Sequence, residues 1–253
     1  MTLTKFTWWR VVLVLGPLPI AAFGENVCDL ARFPGPYGFQ LSGQTTISGT
    51  SKPVASLGRI VFEADGTVSG YSSVMFDGFL LGNPVTGKYE THPDCTVTWS
   101  LQDDSGAYQH FTGVIGADGK SVRFRQTDKG SARSGVMSRT ADRFTVANLA
   151  QEYEFTLSGS FVPMSPGQVP DAVNAKGLMQ SDAGAFKLVT EGSGSAIDVT
   201  VQVEDDCIVN LAFALPSGPV ALRGIVVNDG KEILAIRTDP GWMAPAKFVA
   251  RQK

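Results

Sequence analysis

The stretch DCTVTWSLQ, Asp94–Gln102, alternates apolar and polar residues and is the clearest strand signal in the chain. In an extended chain, successive side chains point to opposite faces. One face would carry Cys95, Val97, Trp99 and Leu101, and the other Thr96, Thr98, Ser100 and Gln102. A period of two with β-branched and aromatic residues predicts a half-buried β-strand.

The start of this stretch is repeated as DCIVNL, Asp206–Leu211, 112 residues further along the chain. Other motifs recur in the same order at offsets of 111 to 119. They are YGFQLSG and YEFTLSG (37–43, 153–159), VASLGRI and VNAKGLM (54–60, 173–179), ADGK and NDGK (117–120, 228–231), TDKG and TDPG (127–130, 238–241), and VMSR and FVAR (136–139, 248–251). Matches in a preserved order predict two homologous units of about 110 residues each.

The turn signals between the runs indicate hairpins. Asp-Gly pairs, as in ADGT at 64–67, supply the positive φ of tight hairpin turns. About eight strand-like runs fit into each unit, too close together for βαβ crossovers. The sequence therefore predicts an all-β fold of two tandem homologous antiparallel β-barrels, each of about eight short strands. Two β-sandwiches are the alternative. A single sixteen-stranded outer-membrane barrel is less favoured, because Gly, Ser and Asn interrupt runs of about six to eight residues.

The N-terminus has the features of a signal peptide over residues 1–24. Lys5 and Arg10 precede an apolar run, and Ala22 and Gly24 stand at the −3 and −1 positions of a cleavage site. The run is too short for a membrane span, which needs about 20 residues. We expect export to the periplasm or the cell exterior. Residues 25–140 would form unit 1, 141–152 a linker with helical character, and 153–253 unit 2.

The charge of the chain limits its partners. The whole chain has a net charge of −3, to which the two basic residues of segment 1–24 contribute +2, so the exported chain would carry −5. A mildly acidic chain without a Lys/Arg cluster is a poor binder of nucleic acid and of anionic membranes. No later run approaches the length of a membrane-spanning helix, so we expect an exported chain that does not span a membrane.

The motifs GPYGFQLSG, GRIVFEADGTVSG and DCTVTW, in that order, resemble those of a group of secreted bacterial proteins built from β-rich repeats. The resemblance covers nearly all of the exported chain and is stronger in unit 1. Because the motifs are turns and strands, it implies export and a β fold but no activity. The expected architecture is similar to the small barrels of lipocalins and of the allene oxide cyclase and dirigent group.

Three cysteines in an exported chain allow one disulfide and one leftover thiol. Cys95 and Cys207 are repeat partners, whereas Cys28 stands opposite Ala147. This asymmetry favours a Cys28–Cys95 bridge, with Cys207 buried and unpaired. Such a bridge would stabilise the fold by about 3–4 kcal/mol. A Cys95–Cys207 bridge between the units is the alternative.

Unit 1 is richer in aromatic residues, which suggests a pocket. If its barrel is open at one end, a small apolar molecule could be bound by a set of five residues, namely Tyr71, Tyr89, Trp99, Tyr108 and His110. The competing interpretation, which we favour, is that the aromatic side chains fill the core, because an eight-stranded barrel is only just wide enough to be filled.

Signals for catalysis or metal binding are weak. His92 and His110 lack metal-ligand spacing, so no metal site is predicted. The acidic stretches QDDSG (102–106) and VEDDC (203–207) lie at expected hairpins, where Asp favours turn geometry. The chain has no G-x-S-x-G, P-loop or dinucleotide fingerprint, so no cofactor is predicted.

Three functional hypotheses remain. The leading one is an exported, non-enzymatic binding or structural protein that holds a small apolar ligand or a protein partner. The second is a barrel cyclase or isomerase that acts in unit 1 by shaping its substrate. The third is a surface-interaction protein that uses an exposed sheet edge or aromatic patch.

Overall fold

The computed structural model of the chain describes residues 28–182, 184–204 and 206–251. The expected signal peptide, residues 1–24, lies outside this range. Nearly all regular structure in the described residues is β-strand. None of their helices is both long and apolar enough to cross a membrane.

Unit 1 forms a closed antiparallel barrel, called barrel 1. Each strand pairs with its neighbours in sequence, and the last strand pairs with the first. The strands are β1 (Gly35–Ile47), β2 (Thr50–Phe62), β3 (Thr67–Phe76), β4 (Phe79–Thr91), β5 (Thr96–Asp103), β6 (Tyr108–Ile115), β7 (Ser121–Gln126) and β8 (Ser131–Arg139).

Unit 2 forms barrel 2, which closes because its first strand pairs with both the second and the last. Its strands are β9 (Glu152–Phe161), β10 (Asp171–Asp182), β11 (Ala185–Thr190), β12 (Ala196–Val203), β13 (Ile208–Leu215), β14 (Gly218–Val227), β15 (Glu232–Arg237), β16 (Trp242–Met243) and β17 (Pro245–Ala250). The short β16 also pairs with β9, so β16 and β17 together occupy one place in the barrel. Two tandem eight-stranded antiparallel barrels are thus confirmed, in the up-and-down arrangement found in lipocalins.

The alternation in the opening stretch corresponds to the two faces of β5. Val97, Trp99 and Leu101 are buried, whereas Thr98 on the opposite face is exposed. Cys95 lies just before the strand with a φ of 65°, and Asp94 accepts hydrogen bonds from the backbone and hydroxyl of Thr96. The repeated Asp-Cys pair is therefore a turn that opens the strand, and Cys207 has a similar φ of 61°.

Three strands of barrel 1 are longer than the sequence predicted. The strands β1, β2 and β4 have 13 residues each. The sequence pattern predicted runs of about six to eight residues, whereas β2 already begins at Thr50 and β4 at Phe79. The additional residues lie at hairpin ends, where the alternation that marks a half-buried strand is absent.

The linker between the barrels contains a single 3-10 turn, Val146–Asn148, where the sequence suggested a longer helix. Its apolar side chains Phe144 and Leu149 pack on the core of barrel 2. Its backbone groups bond to the barrel, because the Cys207 thiol donates to Ala141 O and Ala150 N–H donates to the hydroxyl of Tyr153. Contacts with the barrel thus replace the hydrogen bonds of a helix.

The segment before each barrel closes one of its ends, and a buried tyrosine holds that closure. The Tyr37 hydroxyl lies 2.7 Å from Gly119 O and 3.0 Å from the carbonyl of Phe33 in the closing segment. In barrel 2, the Tyr153 hydroxyl lies 2.6 Å from Gly230 O. The repeat motif Tyr-x-Phe therefore marks the same structural role in both units.

The cysteine prediction is confirmed. A disulfide joins Cys28 in the closing segment of barrel 1 to Cys95 at the start of β5. Cys207 is free and buried, and burial raises the pKa of its thiol. The alternative bridge between Cys95 and Cys207 is excluded.

The two barrels share an apolar interface. Its buried members are Ala55, Leu57 and Met75 from barrel 1 and Ile225, Val227, Leu234, Ile236 and Met243 from barrel 2. The Gln40 side-chain amide donates to Ala235 O at 2.5 Å and to Ala246 O at 2.8 Å. A Cβ at Gly38 would lie 2.5 Å from Ile225, so glycine permits this approach. The described barrels therefore pack directly against each other.

Candidate functional site

Two of the five residues predicted to form a pocket belong to the filled interior of barrel 1. The Trp99 ring stacks on Phe111 with centroids 5.1 Å apart. The Tyr89 ring meets Phe62 edge-on at 4.9 Å, and its hydroxyl donates to Glu63 O at 2.7 Å. Both rings take part in core packing.

The other three lie outside the barrel interior. Tyr71 is on the face of β3 toward barrel 2, and burial raises the pKa of its hydroxyl. Within the described residues that hydroxyl has no hydrogen-bond partner. Tyr108 and His110 are exposed on β6 with ring centroids 6.4 Å apart. The structure therefore does not bring the five residues into one cavity.

Little empty space remains inside barrel 1. The cavity between six core side chains has a volume of only about 10 Å³. These side chains are Phe39, Ile60, Trp99, Leu101, Phe111 and Phe124. One water needs about that much. The interior is thus packed by aromatic side chains, as the competing interpretation expected.

His110 contacts the side chain of Asp128 on the outer surface. Its Nδ1 lies 2.7 Å from the Asp128 carboxylate, which also accepts bonds from the His110 backbone and from Gln126. Partial burial opposes ionisation of Asp128, but these hydrogen bonds outweigh it and lower its pKa. In barrel 2, Asp239 of the matching TDPG motif likewise accepts from the backbone of Ala221. The repeat indicates that this aspartate fixes a hairpin end in both units.

No group of three or more His, Cys, Asp or Glu residues suited to a metal ion occurs in the described part of the chain. The mouth of barrel 2 has a groove of about 620 Å³ between the start of β10 and two hairpin turns. The groove is open to solvent, and its lining mixes Leu215 and Pro216 with Lys176 and Glu191.

The feature that the sequence interpretation missed is the hairpin of β3 and β4. Between the paired residues Gly70 and Val85 this hairpin has 14 residues, whereas the equivalent hairpin of barrel 2 has eight between Leu188 and Ile197. Three additional residues per strand lengthen it by roughly 10 Å. The signal was Asp77-Gly78 between apolar runs, with φ values of 50° and 89° suited to a tight hairpin turn.

Residues Phe79–Pro84, called the β4 extension, project beyond the neighbouring strand β5. Pairing of β4 with β5 stops at Val85 and Asp103. Phe79, Leu80 and Leu81 are 61%, 42% and 49% exposed. Within the described residues this edge of the strand has no pairing partner. Soluble proteins normally avoid three consecutive exposed apolar residues on such an edge unless a partner covers them.

The two faces of the β4 extension have different surroundings. Phe79 and Leu81 lie on the same face as Val85, which is buried inside barrel 1. Leu80 lies opposite Met75, a fully buried member of the interface between the barrels. The extension thus continues the inner wall of barrel 1 past its rim. Ile47, 46% exposed, lies apart from the β4 extension at the tip of the β1–β2 hairpin.

Comparison with known proteins adds no family to this picture. No family model matches the chain, and no curated protein matches it. Among solved structures, isotype 1 transferrin binding protein B from serogroup B Neisseria meningitidis is similar with 6% identity and a TM-score of 0.32. The match covers 86% of this chain and 76% of that chain. At that level of similarity, neither fold nor function is inferred from it.

Proposed function

We propose that the chain is an exported, non-enzymatic binding protein that docks a protein partner on the β4 extension. The observation that carries this proposal is the exposed run Phe79, Leu80 and Leu81, on a strand edge that no other described segment pairs with. Apolar patches of this kind on a folded protein are typical of interaction sites. The Cys28–Cys95 disulfide supports export, because disulfides persist in oxidising compartments.

The packing of the hairpin supports docking by a preformed surface. The Asp77-Gly78 turn rests on barrel 2, where a Cβ at Gly78 would lie 2.7 Å from Met164. Lys52 pairs with Asp77 at 2.8 Å on the other side of the turn. A surface held on both sides loses little conformational entropy when a partner binds.

The hypothesis that barrel 1 encloses a small apolar ligand has no comparable support. The core of barrel 1 leaves about 10 Å³, whereas pockets for small molecules span about 300–1,000 Å³. A substrate-shaping enzyme in unit 1 would need the same missing space. The surface of the hairpin is therefore the site that the geometry favours.

Site-specific photo-cross-linking in the native host tests the proposal. A photoreactive phenylalanine analogue replaces Leu81, or Thr98 on the exposed face of β5 as the control. We expect a discrete adduct with another protein from position 81 only, and its loss on Phe79→Asp. The partner, identified by mass spectrometry and purified, should bind the wild-type protein and bind the Phe79→Asp variant at least about tenfold more weakly. Equal adducts from both positions, or none from position 81, would contradict docking here.

A further inference from the structure

The backbone hydrogen-bonding groups alternate along β4. Tyr89 donates its N–H to Gly66 O at 2.9 Å on the β3 side, and the β3–β4 pairing continues to the turn without a bulge. Odd-numbered residues of β4 therefore direct their N–H and C=O groups to β3, and even-numbered residues direct theirs to the opposite side. In the β4 extension, the groups of Leu80 and Gly82 and the carbonyl of Pro84 face that open side.

The residues on this edge permit close approach by another backbone. Gly82 is exposed, and a Cβ there would have no atom of the described residues within 4 Å, so the sheet face at this residue is uncovered. Glycine within a strand often marks such an approach. Pro84 lacks an N–H at the point where pairing with β5 takes over, and proline is tolerated in sheets on edge strands. The open edge is thus a short segment with two N–H donors and three carbonyl acceptors.

Charges near the edge favour one direction for an added strand. The added strand would lie end to end with β5, which runs antiparallel to β4 and stops at Asp103. In the antiparallel orientation its N-terminal end would lie beside Asp103 and the exposed Asp104. The Asp103 carboxylate already accepts two bonds from Ser105. A lysine or arginine at that end of the added strand would complement the carboxylates.

A second copy of this chain offers a poorer charge match at this position. Antiparallel pairing of two β4 extensions would bring the Asp77 turn of one copy beside Asp103 and Asp104 of the other. Asp77 is already paired with Lys52 at 2.8 Å, so this turn brings no unpaired positive charge to the two carboxylates. A partner with an unpaired basic residue at this position supplies one.

We infer that the β4 extension receives an extended apolar segment of a partner protein by strand addition. The added strand runs antiparallel to β4, with a basic residue at its N-terminal end. Its apolar side chains cover Phe79 and Leu81, and its backbone pairs with Leu80 and Gly82. This inference rests on the proposed docking function and specifies the chemistry of the partner.

Binding of a synthetic peptide tests the inference. The probe is acetyl-Lys-Lys-Val-Thr-Val-Thr-Val-amide, labelled for fluorescence anisotropy. We expect Gly82→Pro to weaken binding at least about fivefold, because it removes one N–H from the open edge. The control Gly82→Ala keeps the N–H and should bind like the wild type. Equal binding by both variants would overturn the inference.

Modified peptides keep the test independent of protein folding. N-methylation of alternate peptide residues blocks donors on one edge of the added strand only. We expect methylation of the peptide residues whose N–H groups face β4 to abolish binding, and methylation of the alternate residues to preserve it. Equal effects of the two patterns would overturn strand addition. Moving the two lysines to the C-terminal end should weaken binding at least about threefold, and Asp104→Asn should make that difference smaller. Tighter binding of the C-terminal lysines would overturn the proposed direction.

The outcomes separate this inference from the docking function. If Phe79→Asp abolishes capture of the partner in the host while Gly82→Pro leaves it unchanged, docking stands and strand addition is overturned. If position 81 cross-links to a second copy of the chain, the inferred partner is overturned. Loss of capture with both variants, with Gly82→Ala unaffected, supports docking and strand addition together.

Discussion

Gly241 donates its backbone N–H to the carbonyl of Gly78 across 3.0 Å, and this bond joins the turn of the β3–β4 hairpin to barrel 2. The β3–β4 hairpin, which is longer than its counterpart in barrel 2, is therefore held in place by barrel 2. One face of the hairpin packs between the barrels through Met75, and the open edge of the β4 extension remains exposed. Barrel 2 thus supports the β4 extension, which barrel 1 alone would hold less firmly.

The turn at Gly78 should be sensitive to a single methyl group. Gly78→Ala places a Cβ 2.7 Å from Met164 Sδ at a φ of 89°, whereas Gly49→Ala has a similar φ of 80° and no atom of the described residues within 4 Å. Both substitutions carry the cost of a left-handed backbone, about 1–2 kcal/mol. We expect Gly78→Ala to lower the free energy of unfolding by about 1 kcal/mol more, as measured in urea. Equal losses would contradict the contact with Met164.

The Gln40 amide should hold the barrels together. Its two bonds to Ala235 O and Ala246 O are lost in Gln40→Ala, which we expect to lower the free energy of unfolding by about 2 kcal/mol. Gln44→Ala, on the exposed part of the same strand, is the matched control and should cost less than about 0.5 kcal/mol. Similar midpoints for the two variants in thermal unfolding would count against this interface.

The disulfide should stabilise barrel 1 without any contribution from the third cysteine. Replacing both Cys28 and Cys95 by alanine is expected to lower the free energy of unfolding by about 3–4 kcal/mol. In the native wild type, a thiol reagent should modify no cysteine, because Cys207 is buried. After unfolding without a reductant it should modify one cysteine, and after reduction three. A different count in the unfolded, unreduced protein would refute the pairing.

The alternating pattern predicted the strands of β5 and its repeat because one face of each lies in a barrel core. The cysteine pairing followed from the repeat, since Cys28 has no counterpart in unit 2. The β4 extension could not be predicted in this way. Its apolar run Phe79–Leu81 has no alternation, because its residues lie past the rim where no core faces them.

The predicted pocket combines five residues by their chemical type and takes no account of the strand face on which each one lies. The register pairs Tyr89 with Trp99, so these two share the inner face. It pairs His110 with Ser100, which places His110 on the outer face. A single sequence gives the alternation within a strand, but the register between strands depends on hairpin lengths and barrel closure.

Tyr37 should make stability fall at alkaline pH. Burial raises the pKa of Tyr37 from 10.0 to about 12. The unfolded state therefore releases a proton near pH 10 while the folded state keeps it. The stabilisation is complete below pH 10 and is lost as the pH rises to about 12, a total of about 2–3 kcal/mol.

Urea unfolding at pH 9, 10 and 11 measures this dependence, in a Cys207→Ala background that prevents thiol exchange. We expect Tyr37→Phe to show a smaller fall in the free energy of unfolding than its parent. The control Tyr108→Phe, with an exposed side chain, should match the parent. An equal fall in Tyr37→Phe would show that Tyr37 does not titrate in this range.

Amide hydrogen exchange along the β4 extension, read residue by residue by NMR, tests the open edge most directly. In the free protein, Leu80 and Gly82 should exchange at least about tenfold faster than Leu81 and Asn83, whose N–H groups face β3. On addition of acetyl-Lys-Lys-Val-Thr-Val-Thr-Val-amide, Leu80 and Gly82 should become protected while the other two change little. Equal exchange at all four amides in the free protein, or no added protection at Leu80 and Gly82 when the peptide is bound, would contradict strand addition at this edge.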